Sequence, residues 1–294
     1  MITIIITSFK EPHSVGKAIE AVLANKITEK YELLVAAPDK ETAIVIQSYA
    51  RKHKQVKYFK DKGQGKANAL NELFQRAKGD ILILTDGDVF MSTNAVSALL
   101  HAFKDPNVGC VAGRPVATND KQTILGYFSH LLVDAGAHTI RQKLHDQGRF
   151  LECTGYLFAF RNKIRKIPVD VAEDSIIPYL LWKQGYRVCY VPEAKVFVKY
   201  PNNLKDFVKQ RVRTAKSHEK LTKYAPDFPR VKTFSNELIF GLPRALGYAR
   251  SMREFFWTFC LLFVRLYIWY RVFYEIRIHQ KNYGDNWERI ESTK

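Results

Sequence analysis

Cysteine is scarce in this 294-residue chain: Cys110, Cys153, Cys189 and Cys260 stand far apart. That excludes a disulfide-stapled mini-protein. The absence of any Cys-x-x-Cys pair removes the usual zinc and thioredoxin motifs. Reduced thiols and a cytoplasmic compartment are expected. Glycine and proline are modest, at 15 and 11, which excludes collagen and low-complexity arrays. A long N-terminal apolar run is missing too. Ile2–Ile6 is too short for a secretory core and Lys10 and Glu11 follow, so no secretion leader is expected. Acidic residues are also in short supply, 29 Asp and Glu against 46 Lys and Arg, a formal charge of +17. What is plentiful is apolar: 47% hydrophobic and 13% aromatic residues, which excludes a disordered chain.

A charge of +17 calls for nucleic acid, an anionic membrane face or a phosphorylated substrate. Residues 201–294 hold 18 Lys and Arg against 9 Asp and Glu, so about half of the excess lies in the last third. A solvated basic face explains any single lysine. It explains less well why the basic density coincides with the most aromatic stretch. No helix-turn-helix, zinc-finger or RNA-recognition signature accompanies it, so no nucleic-acid partner is expected, although a basic nucleic-acid-binding protein stays as an alternative.

Up to about residue 115, short β-branched runs alternate with longer amphipathic ones. Strands are expected at Ile2–Thr7, Tyr31–Ala37, Val56–Phe59, Asp80–Thr85 and Val108–Ala112. Helices are expected near 13–25, 40–53, 65–77 and 92–104. This order predicts βαβ units, a mostly parallel sheet covered by helices on both faces, and a ligand crevice beyond the carboxyl ends of the strands. The loops starting at Thr7, Pro38, Phe59 and Thr85 should share that crevice. Further on, a helix is expected over 121–144, a strand over 152–160, a helix over 173–184, a strand over 187–191 and a basic helix after Pro201 up to about Tyr224. Residues 235–250 read as amphipathic. Residues 1–200 are expected to bind and transform the ligand, with 201–294 as a basic, aromatic helical region.

Four segments carry chemistry. Thr85-Asp86-Gly87-Asp88 closes an apolar strand with two carboxylates that can turn toward one point. Hard cations such as Mg2+ or Mn2+ take oxygen ligands and keep positions open for phosphate; an ordinary Asp-Gly turn is the plain alternative. Asp61-Lys62-Gly63-Gln64-Gly65-Lys66 precedes a helix, and a glycine-rich turn, a helix N-terminus and Lys66 all suit a phosphate. It is not a Walker A loop, and a simple turn would read the same. Glu173-Asp174 opens a helix, where a carboxylate is often only a cap. Gln210 and Arg213 lie one turn apart beside Arg211, with a solvated basic helix as the alternative.

Together these segments resemble an inverting family-2 glycosyltransferase with the glycosyltransferase-A fold. Ile5-Ile6-Thr7-Ser8-Phe9-Lys10-Glu11 resembles the family's first-strand nucleotide segment, lacking its proline. Gly65-Lys66-Ala67-Asn68-Ala69-Leu70-Asn71 is similar to its Gly-Lys-x-x-Ala-Leu-Asn signature, and Asp86-Gly87-Asp88 to its Asp-x-Asp. Thr154-Gly155-Tyr156 resembles the acceptor-side glycine strand. Glu173-Asp174 with Gly185-Tyr186-Arg187 and Pro192-Glu193-Ala194 resembles the Thr-Glu-Asp helix and what trails it. Asp39 is displaced from the family's second-strand acid, Ala172 stands for the threonine, and no tryptophan follows Gln210-Arg211-Val212-Arg213, which points away from processive synthesis.

The resemblance implies an α/β glycosyltransferase-A fold and a hexosyl transfer, with inversion, from a UDP- or GDP-sugar to an acceptor hydroxyl. It implies Asp174 as general base with Glu173 beside it, and Asp86 and Asp88 on Mg2+ or Mn2+. Thr7, Ser8, Glu11, Asp39 and Asp86 would meet the nucleoside; Lys66, Gln210, Arg211 and Arg213 would meet the phosphates. A sugar-phosphate nucleotidyltransferase is the nearest enzyme alternative, but residues 1–16 offer only Gly16 toward its phosphate loop.

The aromatic tail, residues 255–274, is roughly 30 Å long as a helix. A central Arg265 costs about 2.5–3.5 kcal/mol on insertion scales. Its Trp and Tyr are scattered instead of belted at the ends. A helix lying in the interface of an anionic membrane is therefore expected, peripheral or monotopic on the cytoplasmic face, with a glycan or lipid-linked acceptor. Burial against the catalytic domain or in a dimer is the plain alternative. The oligomeric state is left open.

Overall fold

The computed structural model describes residues 1–229, 239, 241–275 and 291–293. Most of the amphipathic stretch expected over 235–250 lies outside them. An eight-stranded sheet runs in the order β3-β2-β1-β4-β7-β6-β8-β5. Its strands are β1 (Ile2–Thr7), β2 (Tyr31–Ala37), β3 (Val56–Lys60), β4 (Ile81–Asp86), β5 (Phe90–Met91), β6 (Val108–Ala117), β7 (Leu157–Arg161) and β8 (Arg187–Val198). The helices between them are α1 (Val15–Leu23), α2 (Lys40–Lys52), α3 (Lys66–Arg76), α4 (Ala95–Ala102), α5 (Ile124–Leu131), α6 (Thr139–Asp146) and α7 (Glu173–Lys183). Three more follow: α8 (Leu204–Tyr224), α9 (Leu242–Tyr248) and α10 (Met252–Phe273).

β1 is buried at every position, as a strand covered on both faces must be. Ile4 and Ile6 join one core with Val15 and Ile19 of α1, while Ile5 faces the other with Leu70 and Phe74 of α3. Each such side chain contributes about 1.5–3 kcal/mol by leaving water. β1 pairs in parallel with β2 and β4 in a register that sets Thr7 opposite Ala36 on one side and Asp86 on the other. Ala37 is level with Lys60 of β3. The carboxyl ends of four strands thus form one edge, as the alternation of elements predicted.

β7 departs from the parallel pattern. It runs antiparallel to both β4 and β6, with Leu157 opposite Thr85. Its first residue therefore meets the last turn of β4, and the segment leading into it arrives at the same edge as Asp86. Residues 152–156, expected as strand, are not strand; their backbone is held by a helix start and an arginine, described below. β8 extends seven residues past the expected end at Val191. Its far half alternates buried and exposed positions, a half-covered strand. The helix expected over 121–144 is broken by a π-helical turn, Leu132–His138, between α5 and α6.

A third core lies away from the sheet. Tyr127 and Phe128 of α5, Phe207 and Val212 of α8, Ala245 of α9 and Leu261, Ile268 and Val272 of α10 pack together.

Candidate active site

The turn after β4 is built for close approach. A Cβ on Gly87 would fall 2.5 Å from Glu11 Oε2 and 2.5 Å from the Ser8 Cβ, so only glycine fits between the two carboxylates of Asp86-Gly87-Asp88. Gly87 N–H donates to the Thr7 carbonyl at 2.9 Å, and Thr7 Oγ1 donates to Asp86 Oδ1 at 3.2 Å. Ser8 Oγ donates to the Ala36 carbonyl at 3.1 Å, tying the β1 end to β2. Thr7, Ser8, Glu11 and Asp86 therefore share one wall.

Asp39 caps α2. One carboxylate oxygen accepts from Thr42 N–H at 2.9 Å and the other from Lys10 N–H at 2.8 Å. Burial works against its charge, but these N–H donors outweigh burial and lower its pKa. Lys10 holds a positive φ of 54°, and the Asp39 bond fixes that turn. Asp39 thus stands at the crevice, with both oxygens engaged in shaping the loop of residues 8–11.

Lys66 starts α3 and joins two of the sequence-predicted segments. Its Nζ lies 2.6 Å from Asp86 Oδ1 and 2.6 Å from Glu173 Oε1. Burial disfavours the ammonium, yet the two carboxylates prevail and hold its pKa well above the usual lysine value. Asp86 is pushed up, first by burial and then by Asp88 and Glu173, with Lys66 pulling the other way. Lys66, expected to face phosphate alone, is thus bound between carboxylates.

Glu173 and Asp174 open α7. Asp174 Oδ2 accepts from Gly155 N–H at 2.9 Å. A Cβ on Gly155 would lie 3.4 Å from Glu173 Oε1 and 3.6 Å from Asp174 Oδ2, so that residue sits against both acids. Thr85 Oγ1 donates to the Tyr156 carbonyl at 2.8 Å, closing this wall onto β4.

α8 supplies the cationic side. The Arg211 guanidinium stacks 5.8 Å from the Tyr200 ring centroid and 5.4 Å from that of Phe207. Tyr200 meets Tyr156 edge-on at 6.0 Å. The Tyr156 hydroxyl is raised in pKa, first by burial, and feels Arg211, Asp88, Asp86 and Arg213. Tyr156 thus lies within electrostatic reach of both the arginines and the acid pair. Gln210 is half-buried on the same helix, its Oε1 without a hydrogen-bond donor among the described residues.

Tyr156, Tyr200 and Asp61 were assigned no role from the sequence. Asp61 is 5% exposed just after β3, and burial raises its pKa. Its Oδ2 finds no donor among the described residues. An acid directly after the edge strand Val56–Lys60, ahead of the glycine-rich turn, was the available signal. The two tyrosines looked like ordinary core aromatics.

The acid pair suits a hard divalent cation. Asp86 and Asp88 offer oxygen donors on a fixed glycine turn, where the Gly87 position leaves no room for a side chain between them. No group of three or more His, Cys, Asp and Glu arranged to hold a metal occurs among the described residues. Water and a ligand's phosphate oxygens would have to complete the shell, as Mg2+ and Mn2+ commonly allow.

Comparison with known proteins bears on the family and the fold. The profile of a family described as "Glycosyltransferase like family 2" matches residues 1–217. A poly-beta-1,6-N-acetyl-D-glucosamine synthase of Staphylococcus aureus is 28% identical over 232 residues, 75% of this chain and 55% of the relative. An N-acetylglucosaminyltransferase of Bradyrhizobium diazoefficiens is 23% identical over 234 residues, 74% of this chain and 48% of the relative. The chain thus spans about half the length of these curated relatives. Among solved structures, a mannosyltransferase of Pyrobaculum calidifontis in complex with GDP-Man and Mn2+ aligns with TM-score 0.62 at 18% identity, over 92% of this chain and 82% of that one. TarS 1-349 of S. aureus, with UDP-GlcNAc, aligns with TM-score 0.51 at 12% identity, over 86% and 77%. These two likenesses show the fold, and the glycosyltransferase-A architecture expected from the motifs is the one found.

Proposed function

We propose a function from one established premise: the chain belongs to glycosyltransferase-like family 2. The protein transfers a hexosyl group from a nucleoside-diphosphate sugar to an acceptor hydroxyl, with inversion and with help from a divalent cation. The observation that carries this reading is the Lys66 bridge. It ties the acid pair after β4 to the acid pair opening α7, so a leaving-group side and an acceptor side face one another.

Thr7, Ser8, Glu11 and Asp86 line the nucleoside wall, and Asp39 shapes its loop. Asp61 is added as a buried acceptor for the base. Asp86 and Asp88 would hold Mg2+ or Mn2+, which supplies charge neutralisation for the departing diphosphate. Lys66 and the α8 residues Gln210, Arg211 and Arg213 steady the phosphate oxygens. Asp174 accepts the proton of the acceptor hydroxyl. The hydroxyl oxygen then bonds to the anomeric carbon from the face opposite the phosphate, and the old C–O bond leaves its electron pair on the nucleoside diphosphate. Gly155 N–H fixes which Asp174 oxygen is turned away from this task. Glu173 keeps Lys66 charged beside the base. Residues 1–200 carry the donor chemistry, and 201–294 add the α8 cations and a membrane contact. The complexes of GDP-Man with Mn2+ and of UDP-GlcNAc in structural neighbours support the donor class, and the synthase relatives support a polysaccharide or lipid-linked glycan as product.

α10 is long and apolar enough to cross a membrane, but its contacts favour lying on one. Thr258, Leu261, Ile268 and Val272 are buried along one side, while Phe256, Phe259, Phe263, Leu266, Tyr270 and Phe273 are exposed along the opposite side at helical spacing. Near its start the Thr258 hydroxyl bonds that of Tyr127, and beyond its end Glu275 pairs with Lys216 of α8. A helix tied to the domain at both ends lies along it and offers a flat aromatic stripe. An anionic membrane face at the cytoplasmic side fits that stripe and its basic surroundings.

A panel of UDP- and GDP-sugars with Mn2+ or Mg2+ tests the reading. Release of a nucleoside diphosphate with a sugar transferred to a glycan acceptor supports it. Release of pyrophosphate, or no turnover with any donor, refutes it.

A further inference from the structure

We infer that Arg141, 33 residues upstream of Asp174 in the chain, is the positioning residue that aims the general base. The inference rests on Asp174 acting in the reaction proposed above. Arg141 sits on α6 and is 9% exposed. Its Nε donates to the Glu152 carbonyl at 2.9 Å and its Nη2 to the Cys153 carbonyl at 2.7 Å, a fork onto two successive peptide groups. These carbonyls belong to residues 152–156, which lack a strand ladder before β7 begins at Leu157. Arg141 supplies the donors that a neighbouring strand would have supplied.

The other edge of this segment grips the base. Cys153 N–H donates to the Asp174 carbonyl at 3.1 Å, and Gly155 N–H donates to Asp174 Oδ2 at 2.9 Å. The Ser175 hydroxyl donates to Glu152 Oε2 at 3.3 Å. Proline explains why the Asp174 carbonyl is available. In a regular helix that carbonyl would accept from residue 178, four positions on, but Pro178 has no N–H. Arg141 therefore holds one side of a short strap, and the strap holds both the main chain and the carboxylate of Asp174.

The π-helical turn just before α6 adds to this. One extra residue in a turn rotates everything after it by about 100°. Arg141 follows that turn directly, and the rotation is part of what brings it inward against the strap.

The test compares Arg141→Met, Arg141→Lys and Pro178→Ala with wild type and Asp174→Asn, all assayed with the same nucleotide sugar and acceptor. Arg141→Met should lower kcat about tenfold to a hundredfold, the scale of an ångström's misplacement, with the donor KM within about twofold. Arg141→Lys keeps one donor and the charge and should recover part of kcat. Pro178→Ala restores an N–H that competes for the Asp174 carbonyl, so kcat should fall severalfold while the thermal midpoint holds within a few degrees. If Arg141→Met fails to fold, the lysine and alanine variants decide the matter. Wild-type kcat in Arg141→Lys and Pro178→Ala, or a rise in donor KM matching the fall in kcat, overturns the inference. An inactive wild type, or a fully active Asp174→Asn, refutes instead the reading on which the inference rests.

Discussion

Residue-scale chemistry here depends on what can approach what. Asp86 and Asp88 flank a glycine because Ser8 and Glu11 leave no room for a side chain. Gly87→Ala should therefore cost about 1–3 kcal/mol through overpacking, read by denaturant unfolding, and weaken nucleotide-sugar binding at the same time. Asp174→Asn keeps the shape and the Gly155 contact but cannot take a proton. It should lower kcat by about a hundredfold to ten-thousandfold with donor affinity unchanged, read by steady-state kinetics beside calorimetric binding. At this scale the sequence was informative about types and order: Lys66, Asp86, Asp88, Glu173 and Asp174 are the residues it singles out, and the fold brings Lys66 into contact with Asp86 and Glu173. It was silent on partners. That Lys66 bridges Asp86 to Glu173 depends on helix α3 facing helix α7 across the sheet edge, which no local pattern encodes. Arg141 was invisible for the same reason, since a lone arginine on a mixed helix reads as surface.

Elements were legible where their burial is uniform. β1, β2 and β4 read directly as apolar runs because both their faces are covered. β7 was misjudged at its start because its first five expected residues have strand-like composition but pair with α7 and Arg141. Its antiparallel direction is set by the connections around it, not by its own residues. β8 runs on through Pro192 to Val198, past the end expected at Val191. The β1–β2–β3 ladder also carries a pH-sensitive link. Glu32 of β2 is 3% exposed and accepts from Thr3 Oγ1 at 3.0 Å, Lys78 N–H at 2.9 Å and Lys57 Nζ at 2.6 Å. Burial opposes its charge, but these donors outweigh burial and lower its pKa. A lowered carboxylate pKa adds stability above the unfolded-state value and loses it as pH falls through the folded one. Glu32→Gln should remove about 1–3 kcal/mol at pH 7 and flatten the stability curve between about pH 5 and pH 3, read by urea unfolding across that range. α10 makes a separate prediction. Phe256→Glu with Phe263→Glu places two charges on its exposed stripe, where the two residues are 66% and 71% exposed. Binding to anionic liposomes in a sedimentation assay should drop at least about tenfold, while turnover of a water-soluble acceptor stays within about twofold. Equal liposome binding by the variant would remove the membrane role of this helix.

The whole molecule arranges three cores so that one edge of the sheet stays open. Two cores pack α-helices on either face of the sheet, and the third seats α8, α9 and α10 beside α5. α8 spans the third core and the site: Phe207 and Val212 are in that core, while Arg211 reaches Tyr200 near the acids. α10, the helix proposed to meet a membrane, and the cationic residues of α8 are thus parts of one packed unit, so an acceptor delivered from a lipid surface would arrive on the Arg211 side. The cleft itself is what most needs testing. Titration calorimetry of a UDP- or GDP-sugar into the protein, with Mn2+ and then with a chelator, measures it directly. A diphosphate held through a cation on Asp86 and Asp88 predicts binding that weakens at least about tenfold on chelation in the wild type and is insensitive to the chelator in Asp88→Asn. Donor binding of equal strength with and without the cation in the wild type would contradict it.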